Sequence, residues 1–534
     1  MKDKPFEKEP PMTPTGLTRA ELKEKGRKLL KKDGKQILLV FSEGRVYAIA
    51  NRCPHEGYPL SEGTEGPGAV LTCNWHNWKF DLASGEALIG RDPVRTYKVE
   101  ERGGEIYVDL SDPPPERLCA RALKGLDAAV ADNDMARMAR EVARLERAGF
   151  SPKTALVHAF TERNDHLEDG MTHAHGAAAD WLALAARAPN DALRFAAMLE
   201  PLGHLAWDTQ GAGLFPYAAG TAPWNTRAFV DAVEAEDETA AIARVRGALA
   251  DGTPYAEMRP AFAEAALAHY ADFGHCAIYV LKAGQLIERL GDGVAEPVLL
   301  ALTRMLVRAT REDRIPEFRK YADTLKSWNG HGFTPASADS FVGLSIDAIL
   351  ERMLVSSARN PREVYDALLG AAAWNLLHFD LAAMRATDNA IADNISWLDF
   401  THALTFANAC RVLCGERADL WPKALLQLAL FIGRNKKYVT EQIDVTAWHV
   451  NDAIAFIAQE MMALYDHGLP EPIIACHRLK VLFALEEELF AAPNAPWADT
   501  MCAAVNRYLN TPMKRHHGLR IATQARDFVA KEAT

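Results

Sequence analysis

Two cysteine–histidine pairs constrain this chain most: Cys53-Pro54-His55 and, after a gap of seventeen residues, Cys73-Asn74-Trp75-His76. Each pair offers one sulfur and one nitrogen donor from a single loop, and both loops interrupt a stretch of β texture. Gln36-Ile37-Leu38-Leu39-Val40-Phe41 is a short apolar run, Ser42-Glu43-Gly44 a turn, and Arg45-Val46-Tyr47-Ala48-Ile49-Ala50 alternates, which together signal a hairpin. Ala69-Val70-Leu71-Thr72, Trp78-Lys79-Phe80-Asp81-Leu82 and Glu105-Ile106-Tyr107-Val108-Asp109-Leu110 read as further short strands. The polar, Lys-rich segment 17–33 reads as a helix ahead of them. A small β domain is therefore expected over residues 15–112, behind a charged, Pro-rich mobile tail at 1–14.

Ser111-Asp112-Pro113-Pro114-Pro115 can neither continue a strand nor enter a helix interior, so 113–120 is expected to be a linker. Beyond it Ala, Leu, Arg and Glu dominate, with apolar residues at helical spacing. Segment 126–146 reads as one amphipathic helix, and Ser151-Pro152 as an N-cap followed by Pro at the first helical position. The expected fold is multidomain β + α: a small antiparallel β domain, then a large all-α domain over 121–534. The charge balance, 60 Lys+Arg against 71 Asp+Glu for a net −11, with no long basic run, argues against nucleic acid. No run of about 18 apolar residues exists to span a membrane. The N-terminus lacks a secretory apolar region, so a cytoplasmic location is expected. Eight Cys in 534 residues are too sparse for a disulfide scaffold.

The paired loops admit two metal readings. Two Cys and two His could bind zinc. They also meet the need of a [2Fe–2S] cluster with two thiolates on one iron and two imidazoles on the other. The loop sequences Cys-Pro-His-Glu-Gly-Tyr-Pro-Leu-Ser-Glu-Gly and Cys-Asn-Trp-His-Asn-Trp-Lys-Phe-Asp-Leu-Ala-Ser-Gly-Glu resemble Rieske ferredoxin-type domains over about 95 residues. The resemblance implies a Rieske [2Fe–2S] cluster on Cys53, His55, Cys73 and His76. That family usually has Gly where Asn77 stands, so the local backbone is expected to differ there. Such a cluster has no open coordination position and moves single electrons at about −150 to +300 mV. No Gly-rich dinucleotide fingerprint opens a helix here, so a separate reductase or ferredoxin is expected as donor.

The acceptor is expected in the helical part. Segments around His173 and His175, His275, His402 and His449 place imidazoles in apolar or small-residue helical contexts, where an unpaired ring is costly. Taken singly each reads as a hydrogen-bonded core His; taken together they can build a metal site inside a helix bundle. His449 and Asp452 read as an i, i+3 pair on one helix face. These segments resemble the questin oxidase-like family of helical oxygenases across roughly residues 150–460. The resemblance implies a mononuclear non-haem iron on His175, His275, His402 and His449, with His173 an alternative to His175. That family's last motif runs His-Val-Ile-Lys, and here His449-Val450-Asn451-Asp452, so Asp452 is expected to replace a modified, anionic ligand. A carboxylate di-iron bundle is disfavoured by the lack of any Glu-x-x-His.

These readings combine into a Rieske-coupled oxygenase, a monooxygenase or oxidase drawing on O2 and a small, potentially aromatic, organic substrate. Two alternatives stand beside it. One puts the iron on His166 and His173 with Asp165 or Asp169; the other makes the chain a non-catalytic electron carrier with a helical docking domain. Homo-oligomers, with electrons crossing a subunit interface, stay open.

Overall fold

A computed structural model describes residues 11–532. It divides into two compact units, one ending at Arg121 and one running from Ala122. Among the described residues the first unit holds ten strands in three antiparallel sheets. They are β1 (Met12–Thr18), β2 (Arg27–Lys32), β3 (Lys35–Ser42), β4 (Arg45–Ala50), β5 (Thr64–Gly66), β6 (Val70–Thr72), β7 (Lys79–Asp81), β8 (Ala87–Ile89), β9 (Val99–Arg102) and β10 (Glu105–Asp109). The strand orders are β1-β10-β9, β2-β3-β4 and β5-β6-β7-β8.

The non-alternating run in β3 has a simple cause: both of its faces are buried. Ile37 and Leu39 join Ala48, Ile106 and Val108 in one apolar cluster. Leu38 and Val40 join Ile49, Leu71 and Phe80 in the other, which also contains Cys53 and Cys73. The sulfur donors are thus anchored in the core. The β3–β4 hairpin closes through Glu43 and Gly44, both in the left-handed region, as its two-residue turn requires.

Three local expectations are corrected. Of segment 17–33 only Arg19–Lys25 is helical. Gly26, at φ +72°, ends that helix, and β2 follows, pairing Leu29 with Leu38. The Lys-rich composition belongs to an exposed edge strand, where charge discourages further pairing. The expected tail falls outside the described residues up to position 10, but Met12–Pro14 pair with β10. In the segment expected to be a linker, a helix already begins at Pro115 and runs to Ala131, with Pro in the first turn where its missing N–H costs nothing.

The second unit is all-α. The helix expected over 126–146 is two, Pro115–Ala131 and Met135–Arg147. Asn133 at φ +52° breaks the chain, and Asp134 caps the second helix by accepting from Arg137 N–H. Ser151 caps Pro152–Glu162 as its sequence implied. Among the described residues no helix is long and apolar enough to cross a membrane.

Candidate metal centres

The two Cys–His loops are built alike. Cys53 N–H donates to the Tyr58 carbonyl and Gly57 N–H to the Cys53 carbonyl, at 2.9 and 2.8 Å. Cys73 N–H donates to the Trp78 carbonyl and Asn77 N–H to the Cys73 carbonyl, at 2.7 and 3.0 Å. Gly57 sits at φ +75° and Asn77 at φ +59°. Asn77 therefore adopts the backbone that Gly adopts in the sister loop, a conformation Asn tolerates better than most residues.

Cys53 and Cys73 are buried, whereas His76 is exposed and His55 half-buried. The two imidazole rings meet edge-on with centroids 4.7 Å apart, and each is stacked on an indole, His55 on Trp78 and His76 on Trp75. His55 Nδ1 is buried without a hydrogen-bond partner, and burial pushes the Cys53 thiol up to about 11. An orphaned imidazole nitrogen beside two buried sulfurs fits a group that binds thiolates and imidazoles together.

The second centre lies inside the helical unit. His173 opens the helix His173–Ala186, His275 opens His275–Leu290, His402 lies in Leu398–Glu416 and His477 in Pro472–Ala491. Their rings converge. Ligand atoms of His173, His402 and His477 all lie within 4.8 Å of one another. His275 Nε2 is 3.2 Å from His173 Nε2, and His477 Nε2 is 3.0 Å from His402 Nε2.

The outer hydrogen bonds determine what those nitrogens can do. His275 Nδ1 donates to the Asp272 carbonyl at 2.5 Å, and His477 Nδ1 to the Ile473 carbonyl at 2.6 Å. The His402 ring is bonded to the Leu398 carbonyl one turn back. Burial holds all four imidazoles below the usual histidine range, His275 at about 4, so they are neutral near pH 7. A neutral ring whose Nδ1–H is spent on a carbonyl has a bare lone pair at Nε2. At His402 and His477 such lone pairs face each other 3.0 Å apart and repel, and a cation between them resolves the repulsion. Adjacent nitrogens on a metal at about 2.1 Å sit roughly 3.0–3.4 Å apart. The donor set fits a divalent transition metal, and the carbonyl bonds are the outer partners that such ligands use.

Backbone strain aims one of the four. Asp272, Phe273 and Gly274, just ahead of His275, have φ of +46°, +51° and +85°. Two consecutive non-glycine residues in the left-handed region are costly, and such strain concentrates at functional sites. A Cβ on Gly274 would lie 2.7 Å from Phe406 Cδ2, so only glycine fits.

The structure brings His275 and His402 together and separates the other expected ligands. His175, two residues from His173, points to the opposite side of the helix. Its Nδ1 accepts from Thr172 N–H at 3.4 Å, and its ring lies 4.7 Å from Phe160. His449 is exposed in a loop rather than on a helix face. Asp452 caps Ala453–Leu464 by accepting from Ala455 N–H at 2.9 Å. His166 lies in the short turn Asn164–His166 and is not in a metal-ligating group among the described residues.

His477 was missed because one imidazole in an apolar helix carries no local sign. The usable signal was Lys480, one turn on, which recreates the His-x-x-Lys spacing sought at 449–452. Lys480 is buried, with Nζ 5.5 Å from the Tyr279 ring centroid, and burial lowers its pKa.

The comparisons bear on the first unit. Residues 17–98 match the Rieske [2Fe-2S] domain. Over 89 residues the chain is 36% identical to the 3-phenylpropionate/cinnamic acid dioxygenase ferredoxin subunit of Escherichia coli, covering 16% of this chain and 84% of that protein. It is 36% identical over 81 residues to a 4beta-methylsterol monooxygenase of Methylococcus capsulatus, covering 13% of this chain and 22% of that protein. The solved ferredoxin of carbazole 1,9a-dioxygenase from Nocardioides aromaticivorans IC177 is 30% identical, covering 19% of this chain and 98% of that one, with a TM-score of 0.18. Motif, loop geometry and identity agree: through its N-terminal module this chain belongs to the Rieske [2Fe–2S] domain family.

Proposed function

We propose that the chain is a Rieske-coupled non-haem iron oxygenase, a monooxygenase or oxidase of a small organic substrate. The observation that carries this reading is the inward-facing set of Nε2 atoms from His173, His275, His402 and His477 in a chain that also bears a Rieske module. The Rieske cluster accepts single electrons from a separate reductase or ferredoxin, and its exposed His76 edge is the natural exit. An iron ion on the four imidazoles supplies one-electron O2 chemistry. The protein's own part is to hold the His275, His402 and His477 rings by their outer carbonyl bonds and to keep all four rings neutral by burial.

Four neutral imidazoles leave a dication uncompensated. Lys480, buried one turn after His477, is the candidate in place of Asp452 for the modified, anionic ligand that the questin oxidase-like resemblance implies. Burial favours the neutral amine, which can form a C–N bond to CO2 and release an N–H proton to solvent, giving a carbamate anion. The test is the ratio of iron to acid-labile sulfide in anaerobically purified protein, with EPR of the reduced form. One iron per chain in excess of sulfide is expected, and His402→Ala with His477→Ala removes that excess while keeping the Rieske signal. Equal iron and sulfide in the native chain sinks the oxygenase reading and leaves an electron carrier.

A further inference from the structure

The strained turn ahead of His275 is held from outside the metal centre. The loop after the helix Ala295–Arg308 runs beside residues 269–274. Asp272 N–H donates to the Thr310 carbonyl at 2.8 Å, and Thr310 N–H returns a bond to Asp272 Oδ1 at 3.2 Å. Tyr270 N–H donates to Glu312 Oε2 at 2.8 Å. Glu312 is 2% exposed, a buried carboxylate that needs a cation beside it. His269 supplies one. Its Nδ1 lies 3.0 Å from Glu312 Oε1, and its Nε2 lies 3.1 Å from Glu234 Oε2, at the end of the helix Thr226–Glu234. A neutral imidazole donates from one nitrogen only and would turn a lone pair toward the other carboxylate. The ring between two carboxylates is therefore an imidazolium. Burial opposes that charge, but the bonds to Glu312 and Glu234 outweigh it and hold the pKa above the usual histidine range. Arg311, paired with Glu234 and Asp313, also faces the ring and opposes its charge.

We infer that His269, Glu312 and Glu234 are positioning residues that aim the metal ligand His275. The imidazolium ties Glu312 to Glu234, Glu312 holds Tyr270 N–H, and the turn that follows delivers the Asp272 carbonyl to His275 Nδ1. Left-handed backbone at Asp272 and Phe273 persists only where the surroundings over-determine it, and this clamp does so. Loss of the His269 proton to solvent leaves two carboxylates against one neutral ring and frees the turn. The sign is opposite to that of the ligands themselves. Imidazole ligands lose a metal as pH falls, because protons compete for their nitrogens. The clamp is fully formed below about pH 6.5 and is lost as pH rises through the raised pKa of His269. The inference rests on the reading of His275 as a metal ligand.

The probe is Co2+ loaded into the helical centre of the full chain, with its loss to a chelator followed by metal analysis from about pH 6.5 to about pH 9. The native chain is expected to lose Co2+ about tenfold faster at the upper end, the weight of one charge-assisted hydrogen bond. Glu234→Gln removes one of the two carboxylates at an exposed position and is expected to move the midpoint about one pH unit lower. His269→Gln is expected to lose Co2+ at the fast rate throughout. Hydrogen exchange of the 269–274 amides in the metal-free chain, corrected for the intrinsic effect of pH, is expected to rank the three chains in the same order. Four results overturn the inference alone: a native rate that stays flat or falls with pH, a midpoint that Glu234→Gln leaves in place, a His269→Gln profile like the native one, or amide exchange that neither variant moves. A chain that takes up no Co2+ overturns the metal reading and the inference together.

Discussion

His175 separates the two accounts of the helical metal centre, and His175→Leu tests them. His175 is fully buried, and burial alone lowers its pKa to about 3. In the unfolded chain it titrates near 6.5. Between those values the unfolded state binds a proton that the folded state does not, so stability rises with pH. The contribution is fully present above about pH 6.5 and is lost as pH falls toward 3. At pH 5 the loss from this one group is about 2 kcal/mol. Leu fills a similar volume, removes the orphaned Nε2 and gives up only the weak 3.4 Å bond to Thr172 N–H. At pH 7.5 these effects, each about 1 kcal/mol, oppose one another. The assay is urea unfolding followed by far-UV circular dichroism at pH 7.5 and 5.0, with metal analysis of the same samples. The variant is expected to keep the iron that exceeds sulfide, and to lose about 2 kcal/mol less than the native chain on acidification. Loss of that iron makes His175 a ligand and refutes the geometry; an acid sensitivity unchanged from the native chain refutes the buried-neutral assignment.

Asp452→Ala is expected to leave the excess iron untouched and to cost about 1 kcal/mol through its lost cap, whereas Lys480→Met lowers that iron; metal analysis and thermal melts separate the two. Gly274→Ala places a methyl 2.7 Å from Phe406 at φ +85°, costing about 2–4 kcal/mol. It is expected to deplete the helical iron while the Rieske EPR signal persists, and unchanged iron would show that His275 is not aimed by this strained turn. Asn77→Val puts a β-branched residue at φ +59° and is expected to lower cluster content measured by visible absorbance, while Asn77→Gly keeps it.

The first metal centre was legible because its ligands and their loops are local in sequence and repeat the same bonding pattern. The second was legible only in part. Its ligands lie about a hundred residues apart on four helices, and their convergence is a tertiary fact with no local trace. His275 and His402 stood in segments that drew notice through small-residue or aromatic neighbours. The choice between His173 and His175 depended on helix phase, since two residues swing a side chain about 200° around the axis. His449 shares only the dipeptide His-Val with the family motif, and burial separates it from His477: one is in an exposed loop and the other in the core. In the β domain the Lys-rich segment misled because composition outweighed the single break at Gly26. In the α domain Asp132-Asn133-Asp134 hid a turn within an otherwise continuous amphipathic pattern.

The carbonyl bonds that fix the imidazoles have a consequence for metal selection. His477 and His402 are oriented by the turn of their own helix, and His275 by the strained turn before it, so the cage is set before any ion arrives. Three nitrogen donors held in this way do not reshape themselves around iron. Intrinsic affinity then follows the order that favours copper and zinc over ferrous iron. The cage therefore takes iron in preference only where iron is in excess of those ions, and the iron-to-sulfide ratio is read on protein grown with iron in excess.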